Sequence, residues 1–186
     1  GIKYTAEWLT QYLVTINTQI PLYEIVNGVN ETASHLQWLN QSDRLIIPPQ
    51  IYYSSPTERW VLTKTLNVTV NSPINFTASW LLQFLIKVQR ATPVEENGTW
   101  VNITTGWYNN GTIIYIPSHY HYINSEERIA YYVKTPYKVI IDKSLTISIP
   151  FAYQYFLRIN KVVSGYVNGT LMNVTSGWYN NGTVIK

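Results

Sequence analysis

The chain has no cysteine and few charges, and each shortage closes off a class of protein. Without cysteine there are no disulfides and no thiolate metal sites, which excludes a disulfide-stapled miniature domain but not secretion. Charged residues make up 12% of the sequence, against about a quarter in ordinary globular proteins. The formal charge of +3 is spread out, with no Lys/Arg cluster of the kind a nucleic-acid footprint needs. No apolar run approaches the ~20 residues of a membrane-spanning helix. The longest, Trp80-Leu81-Leu82-Gln83-Phe84-Leu85-Ile86, is interrupted by Gln83 and followed by Lys87. No signal peptide is present, so an exported protein would be met here in its mature form.

Catalytic signatures are missing as well. There is no Gly-x-Ser-x-Gly, P-loop, dinucleotide fingerprint or calcium loop. His119-Tyr120-His121 would place two imidazoles on one strand face, yet no Asp, Glu or Cys follows at ligand spacing. The histidines therefore read as loop or edge-strand residues. The adjacent pairs Glu95-Glu96 and Glu126-Glu127 read as solvated turns. The sequence assigns no catalytic residue, no metal and no cofactor, and the protein reads as a non-enzyme.

Tyrosine (16), tryptophan (7), asparagine and threonine fill the space that charge leaves. A surface of this kind is polar without being ionic. The ten Asp and Glu would lose charge below about pH 4, whereas Asn, Thr and Tyr would not respond, which points to an acidic habitat. Tyr52-Tyr53, Tyr120, Tyr122, Tyr131-Tyr132 and Trp107-Tyr108 could form a sugar-binding platform; packing between sheets and cross-strand pairing account for most of them.

The most pronounced enrichment is in N-glycosylation acceptors. Asn-x-Ser/Thr occurs at Asn30, Asn40, Asn67, Asn75, Asn97, Asn102, Asn110, Asn168, Asn173 and Asn181, never with proline in the middle. With 17 Asn and 32 Ser plus Thr in 186 residues, chance gives about three such sites. Ten are present, nine of them ending in Thr. A secreted protein coated with N-linked glycans follows.

From residue 59 onward the chain reads as a gapless duplication at an offset of 71. Residues 97–114 match residues 168–185 at 13 of 18 positions. Upstream, Gln83-Phe84-Leu85-Ile86-Lys87-Val88 aligns with Gln154-Tyr155-Phe156-Leu157-Arg158-Ile159, residues 66–70 with 137–141, and Trp60-Val61-Leu62 with Tyr131-Tyr132-Val133. The first copy reads as strands over 60–70, 74–79, 82–89, 99–104 and 112–116, with Asn97-Gly98 and Asn110-Gly111 as tight turns. Before the repeats, residues 22–26 and those after Asn27-Gly28 form a hairpin, residues 33–39 a short helix or irregular turn, and 44–47 and 50–53 two strands. The segments are thus 1–20, an extended donor strand; 21–58, irregular β; 59–117, first repeat; 118–129, connection; and 130–186, second repeat. The fold class is all-β, a β-sandwich-like body of antiparallel strands containing a duplicated unit, with an extended N-terminal strand.

That N-terminal stretch alternates from Ile2 to Ile20, with Ile2, Tyr4, Ala6, Trp8, Tyr12, Val14, Ile16 and Ile20 on one face. A helical reading competes, because Trp8, Leu9, Tyr12, Leu13 and Ile16 also share a helical face. The β-branched residues, and the unused Ile2 and Tyr4, favour a strand. At about 3.3 Å per residue it would run roughly 60 Å, against a radius of gyration of about 16 Å for a domain of this size. It cannot be buried along its whole length in its own domain. Residues 2–10 would serve a neighbour and residues 12–20 the chain's own sheet. The last strand, Thr183-Val184-Ile185-Lys186, stops one position short of the counterpart of Ile116 and so leaves an under-length edge.

The repeat ending, Gly106-Trp107-Tyr108 with Gly111-Thr112 and its copy Gly177-Trp178-Tyr179 with Gly182-Thr183, is similar to small β-modules of archaeal and bacterial surface proteins. In its lack of Cys, few charges, dense acceptor sites and alternating N-terminus, the whole chain resembles the pilin of the archaeal thread, a glycosylated surface filament of thermoacidophiles in the Sulfolobus group. The resemblance implies a structural subunit whose N-terminal strand inserts into the next subunit, with Ile2, Tyr4, Ala6 and Trp8 as donor residues. It implies an extracellular filament of copies joined head-to-tail, for adhesion or biofilm, with other cells or surfaces as further partners and no membrane span in the mature chain. Alternatives are a secreted carbohydrate-binding adhesin, an accessory β-domain of a secreted protease, or a cell-envelope lattice component. A type-IV pilin would need a nearly unbroken apolar N-terminal helix, which Lys3, Glu7 and Gln11 interrupt.

Overall fold

The computed structural model describes residues 1–186, and it is all-β, without a helix. The chain divides into two compact units, Gly1–Leu85 and Ile86–Lys186.

The first unit holds β1 (Gln11–Asn17), β2 (Tyr23–Val26), β3 (Val29–Thr32), β4 (Leu36–Asn40), β5 (Arg44–Ile47), β6 (Ile51–Ser55), β7 (Glu58–Leu62), β8 (Leu66–Thr69) and β9 (Ile74–Thr77). β10 (Trp80–Val88) carries the chain from this unit into the next. β1 lies between antiparallel β4 and parallel β9, while a second sheet runs β3-β2-β5-β8. β6 and β7 form a hairpin, β7 pairing with the first half of β10. Alternation places Val14 and Ile16 of β1, Leu45 and Ile47 of β5 and Phe76 of β9 in one buried cluster with Leu22, Leu39, Leu62 and Val70.

The second unit holds β11 (Thr92–Glu96), β12 (Thr99–Ile103), β13 (Gly106–Asn109), β14 (Ile113–Ile116), β15 (His119–Tyr122), β16 (Glu127–Tyr131), β17 (Tyr137–Ile140), β18 (Leu145–Ile147), β19 (Phe151–Leu157), β20 (Val163–Val167), β21 (Thr170–Val174) and β22 (Gly177–Asn180). Its sheets run β12-β11-β14-β17 and β15-β16-β19-β22, with β20-β21 as a hairpin. β18 pairs in parallel with residues 86–88 of β10.

Several expectations change. The N-terminal strand is shorter than the alternation, because only residues 11–17 pair. Residues 36–40 are strand β4, not a helix or irregular turn, since their backbone groups pair with β1. The run 60–70 splits at residues 63–65 into β7 and β8, which belong to different sheets. Glu95 and Glu96 lie in β11, half-buried opposite Trp100 and Thr99, and Glu127 lies in β16. The duplication also has a gap. Gln83 pairs with Arg59 and Gln154 with Arg128, so Glu58-Arg59 corresponds to Glu127-Arg128 and Trp60 to Ile129, an offset of 69. β8 and β17 return to an offset of 71. Two extra residues before β17 absorb the difference, as a connection can without disturbing strand register.

The fold also contains a third copy. Gln11-Tyr12-Leu13-Val14-Thr15-Ile16 corresponds to Gln83-Phe84-Leu85-Ile86-Lys87-Val88 and to Gln154-Tyr155-Phe156-Leu157-Arg158-Ile159. Each long strand is followed by a hairpin whose turn is Asn-Gly, with Asn27, Asn97 and Asn168 at φ of 50, 48 and 49° and Gly28, Gly98 and Gly169 at 84 to 86°. Both φ values are positive, as a type I′ turn requires. The turn asparagine then fastens the next strand: its Oδ1 accepts from the backbone N of Arg44 (2.8 Å), Ile113 (2.9 Å) and Val184 (2.9 Å). Val26 pairs with Leu45, Glu96 with Ile114 and Val167 with Ile185 in one shared register. The three modules are residues 11–47, 83–116 and 154–186.

Candidate assembly surfaces

Residues 1–10 form no strand, and every one of them is exposed. Ile2 is 82% exposed, and Tyr4 and Trp8 are each 90% exposed; Ala6 is exposed between them. Leu9, on the opposite face and not among the residues singled out from the alternation, is also exposed. Thr10 begins the attachment to the body, its carbonyl accepting from Gln41 N at 2.8 Å. The segment presents unpaired backbone together with large apolar side chains, the combination that invites strand addition.

A second unpartnered surface lies in the third module. In the first two modules the last strand is covered by another: β5 pairs with β8 and β14 with β17. Residues 184–186 pair only with β20, through Tyr166 N to Lys186 O (2.8 Å) and Lys186 N to Tyr166 O (2.9 Å). The long strands differ in the same way. β1 carries β9 in parallel and β10 carries β18, while β19 has β16 and β22 as its neighbours and no parallel strand. Consequently Ile185 is 38% exposed where its counterparts Leu45 and Ile114 are at 0%. Val163 is 51% exposed where Leu22 is at 1% and Thr92 at 0%. Tyr155, Leu157, Tyr179, Thr183 and Ile185 line an open cavity of about 310 Å³.

No protein-family model, curated protein or solved structure matches this chain.

The acceptor asparagines sit at turns and on outward strand positions. Nine of the ten are exposed, and Asn40 is half-buried. At Asn40, Asn75, Asn97 and Asn168 the side-chain hydrogen bond uses Oδ1, from Gln11, Asn17, Ile113 and Val184 respectively. That leaves Nδ2, the atom a glycan would occupy, outside the bond.

His119 and His121 lie on β15, the edge of its sheet. His121 stacks on Trp100 at 3.7 Å, and burial lowers its pKa, with Glu95 acting in the opposite sense. No group of three His, Cys, Asp or Glu stands together to hold a metal. The neighbouring aromatics enclose a cation instead. The Arg128 guanidinium lies 3.7 Å from the Tyr120 ring and 4.3 Å from the Trp178 ring. Its Nε donates to Gln154 Oε1 at 2.7 Å, and Gln154 Nε2 donates to Asn180 Oδ1 at 2.9 Å. An equivalent bond joins Arg59 Nε to Gln83 Oε1 at 2.8 Å. These cross-strand ladders hold arginine with neutral amides, and so do not depend on an ionised carboxylate. Of the aromatics read from the sequence, Tyr120 and Tyr122 belong to this cluster, Tyr131 is core, and Tyr52 and Tyr53 lie on the β6 edge.

The open edge of β19 was not among the sequence-derived site residues. The signal for it existed in the Gln-Tyr-Leu-Val-Thr-Ile copy at 11–16. The first two copies carry β9 and β18 on their long strands, and no strand of residues 1–186 takes that place on β19.

Proposed function

We propose that the protein is a non-enzymatic structural subunit of a glycosylated extracellular filament, assembled head-to-tail by insertion of its N-terminal strand into a neighbouring subunit and serving surface adhesion or biofilm formation. The observation that carries this reading is the exposed, unpaired segment 1–10 with Ile2, Tyr4 and Trp8 on one face. A monomer gains nothing from holding these side chains in water. Burying each in a partner would contribute on the order of 1.5–3 kcal/mol, and main-chain pairing would add directionality. A contact between two different surfaces of the same chain is head-to-tail, and where its rotation does not close a ring it generates an open filament. The density of acceptor asparagines and the likeness in character to archaeal thread pilins support the extracellular setting.

Electron microscopy of the purified protein tests it: filaments are expected, and deleting residues 1–10 should abolish them. Monodisperse full-length monomers that bind a glycan would overturn it in favour of the adhesin reading. The Tyr120, Tyr122 and Trp178 cluster around Arg128 is the feature that favours that second reading, as aromatic faces suit sugar rings.

A further inference from the structure

Residues 2–9 repeat the stretch that delivers β9. Ile2-Lys3-Tyr4-Thr5-Ala6-Glu7-Trp8-Leu9 aligns with Ile74-Asn75-Phe76-Thr77-Ala78-Ser79-Trp80-Leu81 at an offset of 72, identical at five of eight positions and with Tyr4 in place of Phe76. The offset is the one that relates Gln11 to Gln83 and Leu13 to Leu85, so the alignment extends the module repeat without a gap. Residues 2–5 are therefore the counterpart of β9, and of β18 one module later.

β9 and β18 do the same job in their modules. Each precedes a long strand in the chain and pairs in parallel with the long strand of the module before it. Ile74 lies opposite Val14 and Phe76 opposite Ile16; Leu145 lies opposite Ile86 and Ile147 opposite Val88. Phe76 and Ile147 are buried there. Within residues 1–186 segment 2–5 pairs with no strand, and no strand pairs in parallel with β19. The vacancy is also visible in strand length: β10 stays in strand conformation to Val88, whereas β19 ends at Leu157, two residues before the counterpart Ile159.

Resting on the filament reading, we propose that residues 2–5 of one copy add in parallel to residues 157–160 of a second copy, on the side of β19 that β16 leaves without a strand beyond Tyr155, with Ile2 opposite Leu157, Lys3 opposite Arg158, Tyr4 opposite Ile159 and Thr5 opposite Asn160. The joint between subunits is then the joint between consecutive modules, made across two chains. Tyr4 occupies the place that Phe76 and Ile147 occupy in the filled modules. The outward pair Lys3 and Arg158 is of like charge, and Glu126, 3.2 Å from Arg158, offsets it. The contact joins the segment ahead of the first module of one copy to the third module of the next, so it is head-to-tail and passes from copy to copy.

The absence of cysteine makes the register testable by cross-linking in the full-length chain. Lys3→Cys and Arg158→Cys, combined in one protein and oxidised under assembly conditions, are expected to give a ladder of multimers on a non-reducing denaturing gel. Either substitution alone should give none. Tyr4→Ala should raise the concentration needed for assembly at least tenfold, and Tyr4→Phe should leave it unchanged. If wild-type filaments form but Lys3→Cys cross-links instead to Tyr52→Cys on the β6 edge, the β19 site is wrong and the filament reading stands. If the double variant yields only an internally cross-linked monomer, the chain fills its own edge and the two-copy proposal is overturned. Wild-type protein that never forms filaments removes the reading on which the proposal rests.

Discussion

Glu24 is a carboxyl buried to 1% exposure in β2, where the second and third modules place Val94 and Gly165. Burial raises its pKa above the usual 4.5; Gln37 Nε2, 2.8 Å from both carboxyl oxygens, pulls it back, and Glu31 across the hairpin raises it further. Folded Glu24 thus keeps a proton that an unfolded glutamate gives up. Its contribution to stability is full below pH 4.5 and is lost as pH rises through the raised value. Melting temperature, followed by circular dichroism, should fall from pH 4.5 towards neutrality, and Glu24→Gln should flatten that slope. Gly165 answers a different demand. A Cβ there would sit 2.9 Å from Lys186 O and 3.1 Å from Val174 Cγ2. Gly165→Ala should cost about 1–3 kcal/mol in chemical denaturation and detach residues 184–186, seen as faster amide exchange at Tyr166 and Lys186. Tyr131, with its pKa raised by burial, stays a neutral donor to Pro93 O at 2.6 Å. Tyr131→Phe leaves that carbonyl without its donor and should cost about 1–3 kcal/mol by the same measurement.

Among the elements, the three Asn-Gly hairpins carry the module architecture. Each turn asparagine holds a positive φ and also fastens a strand that lies 16 or 17 residues later in the chain. Asn27 is the one to substitute, because Val29 follows Gly28 and no glycan is expected there. Asn27→Ala loses the bond from Arg44 N and forces a side chain without local hydrogen bonding into the left-handed region. A loss of about 2 kcal/mol is expected in urea denaturation. These turns were legible as Asn-Gly between apolar runs. Residues 33–39 show the opposite case. Leu36, Trp38 and Leu39 suit either period over so short a run, and pairing with β1 decided for strand.

At the scale of the whole molecule, charge contributes little to the fold. The ion pair of Arg158 with Glu126 has both side chains more than 60% exposed, and such pairs contribute about 0–1 kcal/mol. Arg128 and Arg59 are held by glutamine instead. Circular dichroism of the purified protein is therefore expected to keep its β signal from pH 7 to pH 3. A sharp unfolding transition between pH 5 and 3 would contradict it.

The sequence by itself determined the all-β class, two of the three module copies, the hairpin turns and the exposed alternation of Ile2, Tyr4 and Trp8. Those features are local: they follow from period-two patterning, turn residues with positive φ, and identity at a constant offset. Tertiary structure decided the true register between Arg59 and Arg128, the extent of the third copy over residues 11–47 beyond its opening strand, and the unpaired side of β19. Each depends on which strands lie side by side. Pairing registers tolerate two extra residues in a connection and a nearly complete change of side chains, as at Glu24, Val94 and Gly165, so the backbone repeats where the letters do not. An unpaired strand side leaves no letters at all; it becomes visible only beside the modules in which that side is filled.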